Sequence, residues 1–148
     1  MHYNGRPHFA TSVIIYRDEH GILALCQIEM WSLDNISKNK MTSISSTPND
    51  NSKSSYAVDS QTCSVYGQNG IYCSHTAREK TPWWKVDLEK TSVVFAVTII
   101  TRGYINSDRS RNLRIAVAND DSVPTPQTLS KINSWSLFID YCHFQSSK

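Results

Sequence analysis

The residues from Trp83 to Ile100 constrain the fold of this chain more than any other stretch. Trp84, Val86 and Leu88 alternate with Lys85 and Asp87, the period of a strand with one buried face. The run from Val93 to Ile100 is apolar on both faces, so it reads as a central strand. Leu113, Ile115 and Val117 alternate again, as do Leu137, Ile139 and Tyr141, and no stretch holds a helical period over three turns. Upstream, Phe9 to Tyr16 and Ile22 to Trp31 read as two strands around a turn at Asp18 to Gly21, a half-buried β-hairpin. In the second strand Ala24, Cys26, Ile28 and Met30 face one side while Gln27 and Glu29 face the other. Pro48 to Ser55 is rich in Asn, Asp, Ser and Lys and reads as a surface loop. The fold class is all-β.

A length of 148 residues fits one domain, and 39% apolar with 10% aromatic residues argues against disorder. The formal charge of +2, from 15 basic and 13 acidic side chains, is too small and dispersed for a nucleic-acid or anionic-membrane surface. No apolar run approaches the roughly 20 residues of a membrane span, so no membrane insertion is expected. Met1 to Pro7 lacks the charged and apolar regions of a secretory signal, which places the expected true N-terminus elsewhere. The four cysteines, 26, 63, 73 and 142, have no Cys-x-x-Cys spacing and fit disulfides better than zinc. Asn35-Ile36-Ser37 is an acceptor sequon if the chain enters the secretory route.

Chemistry concentrates between Cys73 and Arg109. His75 precedes Arg102 with 26 residues between them, and Arg109 lies seven positions after Arg102. A polyol with adjacent hydroxyls offers lone pairs and O–H donors, which suits guanidinium forks that only donate and an imidazole that does either. Arg102 follows directly on an apolar strand, so its head group should emerge at a sheet end where loops gather. A lone His or Arg is ordinarily a surface residue, and it is the spacing of the three that raises them to a candidate site. Trp83 and Trp84 serve equally as core filler or sugar-stacking plates. Alternation puts Trp84 in the core, and the ring contact is expected from loop residues Tyr66, Tyr72, Tyr104 or Ile105.

With the Pro-Trp-Trp-x-Val-Asp-Leu run at 82–88 between His75 and Arg102, the chain resembles the F-type lectins, the fucolectin family. The family motif places Asp two residues after the first Arg, where this chain has Tyr104, and a frequent pair of adjacent cysteines is Ile105-Asn106 here. The resemblance implies a discoidin-like jelly-roll β-sandwich, extracellular, that binds L-fucose or fucosylated glycans and is not an enzyme. It assigns the sugar to His75, Arg102 and Arg109, with Tyr72, Tyr104 and Ile105 beside it. It also implies a calcium ion held by oxygens of Tyr56, Asp59, Gln61, Tyr72, Cys26 and Gln27, the last standing where the family has Glu. Oxygen donors suit this hard cation. A Cys26–Cys73 disulfide follows from the same matching, with the pairing of Cys63 and Cys142 left open.

The order of the matched pieces is unusual. Residues 1–32 resemble the C-terminal strand pair of an F-type domain, and 35–148 resemble the rest of the domain without its last strands. The chain is therefore expected either to be cut from a tandem array or to form one circularly permuted domain, since domain termini often lie close together. Permutation is preferred because an unfilled place would leave open strand edges. Sparse single-sugar contacts also imply an oligomer or tandem array for avidity. The competing class is a discoidin-like domain for protein or lipid contact with a degenerate sugar site, because a fold does not fix its function. An enzyme built on His75 with Asp59 or Asp87 lacks any Gly-x-Ser-x-Gly motif.

Overall fold

The computed structural model describes residues 7–61, 72–101, 109, 111–119 and 123–125, and the backbone alone at 135–136 and 140–141. Its strands are β1 (His8–Arg17), β2 (Ala24–Leu25), β3 (Gln27–Trp31), β4 (Thr42–Ile44), β5 (Ser74–His75), β6 (Trp83–Val94), β7 (Ala96–Thr101), β8 (Leu113–Ala118), β9 (Trp135–Ser136) and β10 (Asp140–Tyr141). A five-stranded sheet runs β4-β6-β1-β8-β9, a three-stranded sheet runs β10-β7-β3, and β2 pairs with β5 alone. All pairings are antiparallel except β10 with β7. This is a discoidin-like β-sandwich of jelly-roll type, with no α-helix among the described residues.

One core joins the two larger sheets: Val13 and Ile15 of β1, Trp84, Val86 and Leu88 of β6, Leu113 and Ile115 of β8, Ile28 and Met30 of β3, and Val97 and Ile99 of β7. The expected alternations in β6 and β8 therefore face inward. In β1 the inward residues change parity, from Ala10 to Val13 and Ile15. The register with β6 explains it, since Ala10 pairs with Ser92 and Ser12 with Asp87, so residues 88–91 stand against residue 11. Such a bulge turns the strand by one step and lets both halves present apolar side chains to the same core.

Phe9–Tyr16 and Ile22–Trp31 do not form a hairpin. β1 lies inside the five-stranded sheet between β6 and β8, whereas β3 pairs with β7 in the opposite sheet and β2 pairs with β5. Each strand has an apolar face, and those faces share one core across the sandwich instead of lying edge to edge. The turn between them is tied elsewhere: Gly21 exchanges backbone hydrogen bonds with Glu79. A Cβ at Gly21 would sit 3.0 Å from the Arg17 guanidinium, which donates to the Ile22 carbonyl at 2.6 Å and pairs with Glu19.

The run Val93–Ile100 is likewise not one strand. The chain leaves β6 at Val94 and enters β7 at Ala96, with Phe95 between them 44% exposed and its amide bonded to the Trp31 carbonyl at 2.8 Å. The two-faced apolarity comes from two half-buried strands in opposite sheets read end to end. β7 does occupy the centre of its sheet. The backbone at 135–136 pairs with β8 and at 140–141 with β7, and Leu137 and Ile139 lie outside the described residues. Gln27, expected on the polar face of its strand, is fully buried.

The polar stretch Pro48–Ser55 contains a short 3-10 turn at Asp50–Ser52 capped by Asn49, followed by another at Ser54–Ala57. It is not all surface: Ser52 is buried, and the Trp84 indole donates to the Ser54 carbonyl at 3.0 Å. In the sequon, the Asn35 side-chain carbonyl accepts from the Ser37 hydroxyl at 2.8 Å, and Ser37 is buried against Ile28 and Met30.

Candidate functional site

Three chain segments meet at one end of the sandwich around a disulfide. Cys26 and Cys73 are bonded, with Cα atoms 4.1 Å apart, as the family resemblance implies. Immediately before Cys26, β2 pairs Ala24 with His75 and Leu25 with Ser74. Immediately after it, the Cys26 amide donates to the Ile100 carbonyl at 2.9 Å and Gln27 stands opposite Ile100. The bridge thus ties the strand bearing His75 to the outgoing end of β7. His75 is half-buried, with its Nδ1 3.4 Å from the Cys73 carbonyl.

The topology brings the Arg-bearing segment to the same end. β7 finishes there at Thr101, and β8 starts there because Leu113 lies opposite Arg17, whose strand leads by a short turn into β2. Arg109, half-buried, belongs to the connection between β7 and β8. Arg102, Tyr104 and Ile105 lie outside the described residues, as do Tyr66, Cys63 and Cys142.

The calcium donors expected from the resemblance fall into two groups. The rings of Tyr56 and Tyr72 pack with centroids 5.7 Å apart. Asp59 accepts the Gln61 amide on Oδ1 at 2.9 Å, next to Ser60 in a left-handed conformation with φ 66°. Partial burial raises the Asp59 carboxyl above its ordinary range, against the lowering effect of the backbone amides of Gln61 and Asp59. Gln27 forms the second group beside the disulfide. Its side-chain oxygen and nitrogen are both buried without a hydrogen-bond partner, and so are the hydroxyls of Ser74 on β5 and Thr101 at the end of β7. Leaving such atoms unsatisfied costs roughly 1–3 kcal/mol each. A partly desolvated carboxylate and an orphaned amide oxygen are each chemically suited to an oxygen-ligated cation such as calcium. No group of three His, Cys, Asp or Glu that could hold a metal occurs among the described residues. Carbonyl and amide oxygens would have to supply most of the coordination.

The unbonded buried hydroxyls of Ser74 and Thr101 were not legible in the sequence, because a Ser or Thr at a strand end carries no pattern of its own. Nor was a cavity of about 310 Å³ on the outer face of the five-stranded sheet, lined in part by Met41, Ser43, Trp83, Lys85 and Asp87. Its one signal in the sequence is Trp83, the indole of the pair that alternation leaves off the core face.

A family model for NedA-like, galactose-binding domains matches residues 39–142. The chain belongs to this family. Among relatives of this galactose-binding-like domain are fucolectins of Anguilla japonica. Fucolectin-1 is 34% identical over 64 residues, 43% of this chain and 35% of its own length. Fucolectin-6 is 30% identical over 76 residues, 51% of this chain and 40% of its own length. Fucolectin-5 is 32% identical over 75 residues, 49% and 39%. The matches thus span about two fifths of those relatives or less. No solved structure matches the chain.

Proposed function

We propose that this galactose-binding-like domain is an extracellular, non-catalytic lectin domain for L-fucose or fucosylated glycans. The observation that carries the reading is the convergence at one sandwich end of β5, which bears His75, and of the connection leaving β7, which bears Arg109 and in sequence Arg102. The fucolectin relatives supply the sugar class. Arg102 and Arg109 would fork onto ring and hydroxyl oxygens and His75 would bond a hydroxyl, with Tyr72, Tyr104 or Ile105 against the methyl group. Each charge-assisted bond contributes roughly 1.5–3 kcal/mol, so a single site binds weakly and glycan avidity comes from several copies. Calcium, held by Asp59, Gln27 and the carbonyls of Tyr56, Gln61, Tyr72 and Cys26, would supply a fixed charge that ties the loop at Asp59 to the disulfide. In the same reading, residues 1–32 are the family's C-terminal strand pair, filling its place from in front in permuted order.

The test is calorimetric titration with fucose, galactose and mannose. Arg102→Ala and Arg109→Ala should each weaken fucose binding by about ten- to a hundredfold, the equivalent of one lost bond, with thermal unfolding unchanged. Arg102→Lys should rescue poorly, because an ammonium is not a planar two-pronged donor. Equal binding of all three sugars, or unchanged fucose binding by Arg102→Ala, would sink the assignment.

A second reading has its own observation. Phe9, Leu33 and Phe95 are exposed at 64%, 94% and 44%. Phe9 pairs with Val93 and Phe95 bonds Trp31, which places these rings at the end opposite the disulfide. An interaction domain for protein or lipid would use that end, and liposome binding lost in Phe9→Ser and Leu33→Ser would favour it.

A further inference from the structure

The cavity on the outer face of the five-stranded sheet runs along β6 from Trp83 to Asp87 and is lined by none of the residues around the disulfide. Trp83, Lys85 and Asp87 alternate along β6, so their side chains share the face opposite the core residues Trp84, Val86 and Leu88. Trp83 is half-buried and packs against Ile14, Tyr16 and Ala116, which fixes the indole as a rigid plate. Ser43 on the neighbouring strand stands opposite Lys85, while Met41 and Val123 are exposed at 72% and 68% on the rim.

We propose that this cavity is a second ligand site, distinct from the His75 and Arg109 end, and that it takes a neutral pyranose ring. Three observations select that class. The volume of about 310 Å³ is at the lower end of the range of small-ligand sites and fits one ring. The lining has one cation, Lys85, and one anion, Asp87, so a ligand of either net charge meets a like charge beside its partner. An aromatic plate next to an anchored carboxylate and a cationic side chain suits a ring with a C–H face and hydroxyl edges. Asp87 already accepts the Glu89 amide on Oδ1 at 2.7 Å, which anchors the carboxylate while leaving it lone pairs for hydroxyls. Only the choice of a sugar leans on the lectin reading, and the two sites share no residue.

The experiment is NMR titration of the full chain with methyl α-L-fucoside, methyl β-D-galactoside and methyl α-D-glucoside, following the Trp83 indole N–H and the amides of Ser43, Lys85 and Asp87. At least one sugar should shift these resonances saturably in wild type and equally in Arg102→Ala. Trp83→Ala should weaken the response at least tenfold. Ser43→Trp, at an exposed edge position that leaves the core intact, should block it by filling the cavity, and Asp87→Asn should weaken it severalfold while keeping the oxygen that accepts from Glu89. Should Trp83→Ala fail to fold, Ser43→Trp and Asp87→Asn decide the matter. The proposal is overturned if none of the three sugars moves these resonances, if Ser43→Trp leaves the response intact, or if Arg102→Ala removes it. The last outcome would mean a single site, whereas loss of fucose binding at the disulfide end alone would leave this one standing.

Discussion

Gln27 and Asp59 carry two different unmet demands: an orphaned buried amide and a partly desolvated carboxylate. Gln27 is sealed beside the Cys26–Cys73 bridge with neither amide atom bonded, and Asp59 keeps a carboxylate that partial burial pushes up. Because the folded-state pKa of Asp59 is raised, the native chain holds its proton more tightly than the unfolded chain. Its contribution therefore favours the fold at low pH and is lost as pH rises through the ordinary and then the raised value. At neutral pH without calcium, Asp59→Asn should be as stable as wild type or slightly more so. With calcium at a hundredfold excess over its dissociation constant, wild type should gain about 2.7 kcal/mol, or about 5–10 °C in melting temperature at this chain length. Asp59→Asn should lose most of that gain. Gln27→Glu adds a carboxylate, so it should destabilise the calcium-free chain and enlarge the calcium-induced shift, because ligand charge tunes affinity. Calorimetric melts with and without chelator read all three, and identical melts of wild type in both conditions would argue against calcium. The burial of Gln27 was not legible in the sequence, since alternation assigns a residue to a face and says nothing of whether that face is covered. The bridge was legible only through family resemblance. Cys26→Ser with Cys73→Ser should cost about 4 kcal/mol, from a chain-entropy estimate for a sequence separation of 47, measurable by urea unfolding.

β1 and the β6–β7 passage show where strand-level reading succeeds and where it stops. Period-two patterns located β6 and β8 because the large apolar side chains of each lie on one face, and Trp84, Val86, Leu88, Leu113 and Ile115 all reach the core. Pairing was not legible in the same way. Adjacent strands joined by a tight turn normally form a hairpin, but Val13 and Ile15 on one strand and Ile28 and Met30 on the other satisfy each other better face to face. A run such as Val93–Ile100 cannot be distinguished by composition from a central strand, although it spans a crossing at Phe95. These placements separate two substitutions of similar appearance. Ile15→Ala removes a fully buried side chain from the middle of the five-stranded sheet and should cost about 2–5 kcal/mol. Phe95→Ser lies at the exposed crossing and should change stability by less than about 1 kcal/mol. Denaturant midpoints of the two variants test the crossing directly, because a central strand at Val93–Ile100 would make Phe95→Ser the costlier change.

At the scale of the whole molecule, the N-terminal strands are interior parts and not an appendage. β1 is hydrogen-bonded on both sides, to β6 and β8, β2 holds β5, and β3 is paired with β7. Removing residues 1–32 would open two edges in the five-stranded sheet, uncover Trp84, Ile115 and Ile99, and delete one half of the disulfide. A chain of residues 33–148 should therefore show no cooperative unfolding transition and should aggregate. Co-expression with residues 1–32 should restore it, because the two pieces share no covalent bond that the fold needs apart from Cys26–Cys73, which can form between chains. The permuted-order proposal makes a sharper demand. If residues 1–32 occupy the place of a C-terminal strand pair, then a rearranged chain that carries them after residue 148 on a flexible linker should build the same strand pairings, the same bridge and the same fucose response. The informative measurement is the pattern of slowly exchanging amides in β1, β3, β6 and β7. Protection of the same amides in the rearranged chain is the expected result. A rearranged chain that expresses well and stays soluble yet leaves the β1 amides unprotected would show that these strands reach their places only from the N-terminal side, and would end the permutation reading.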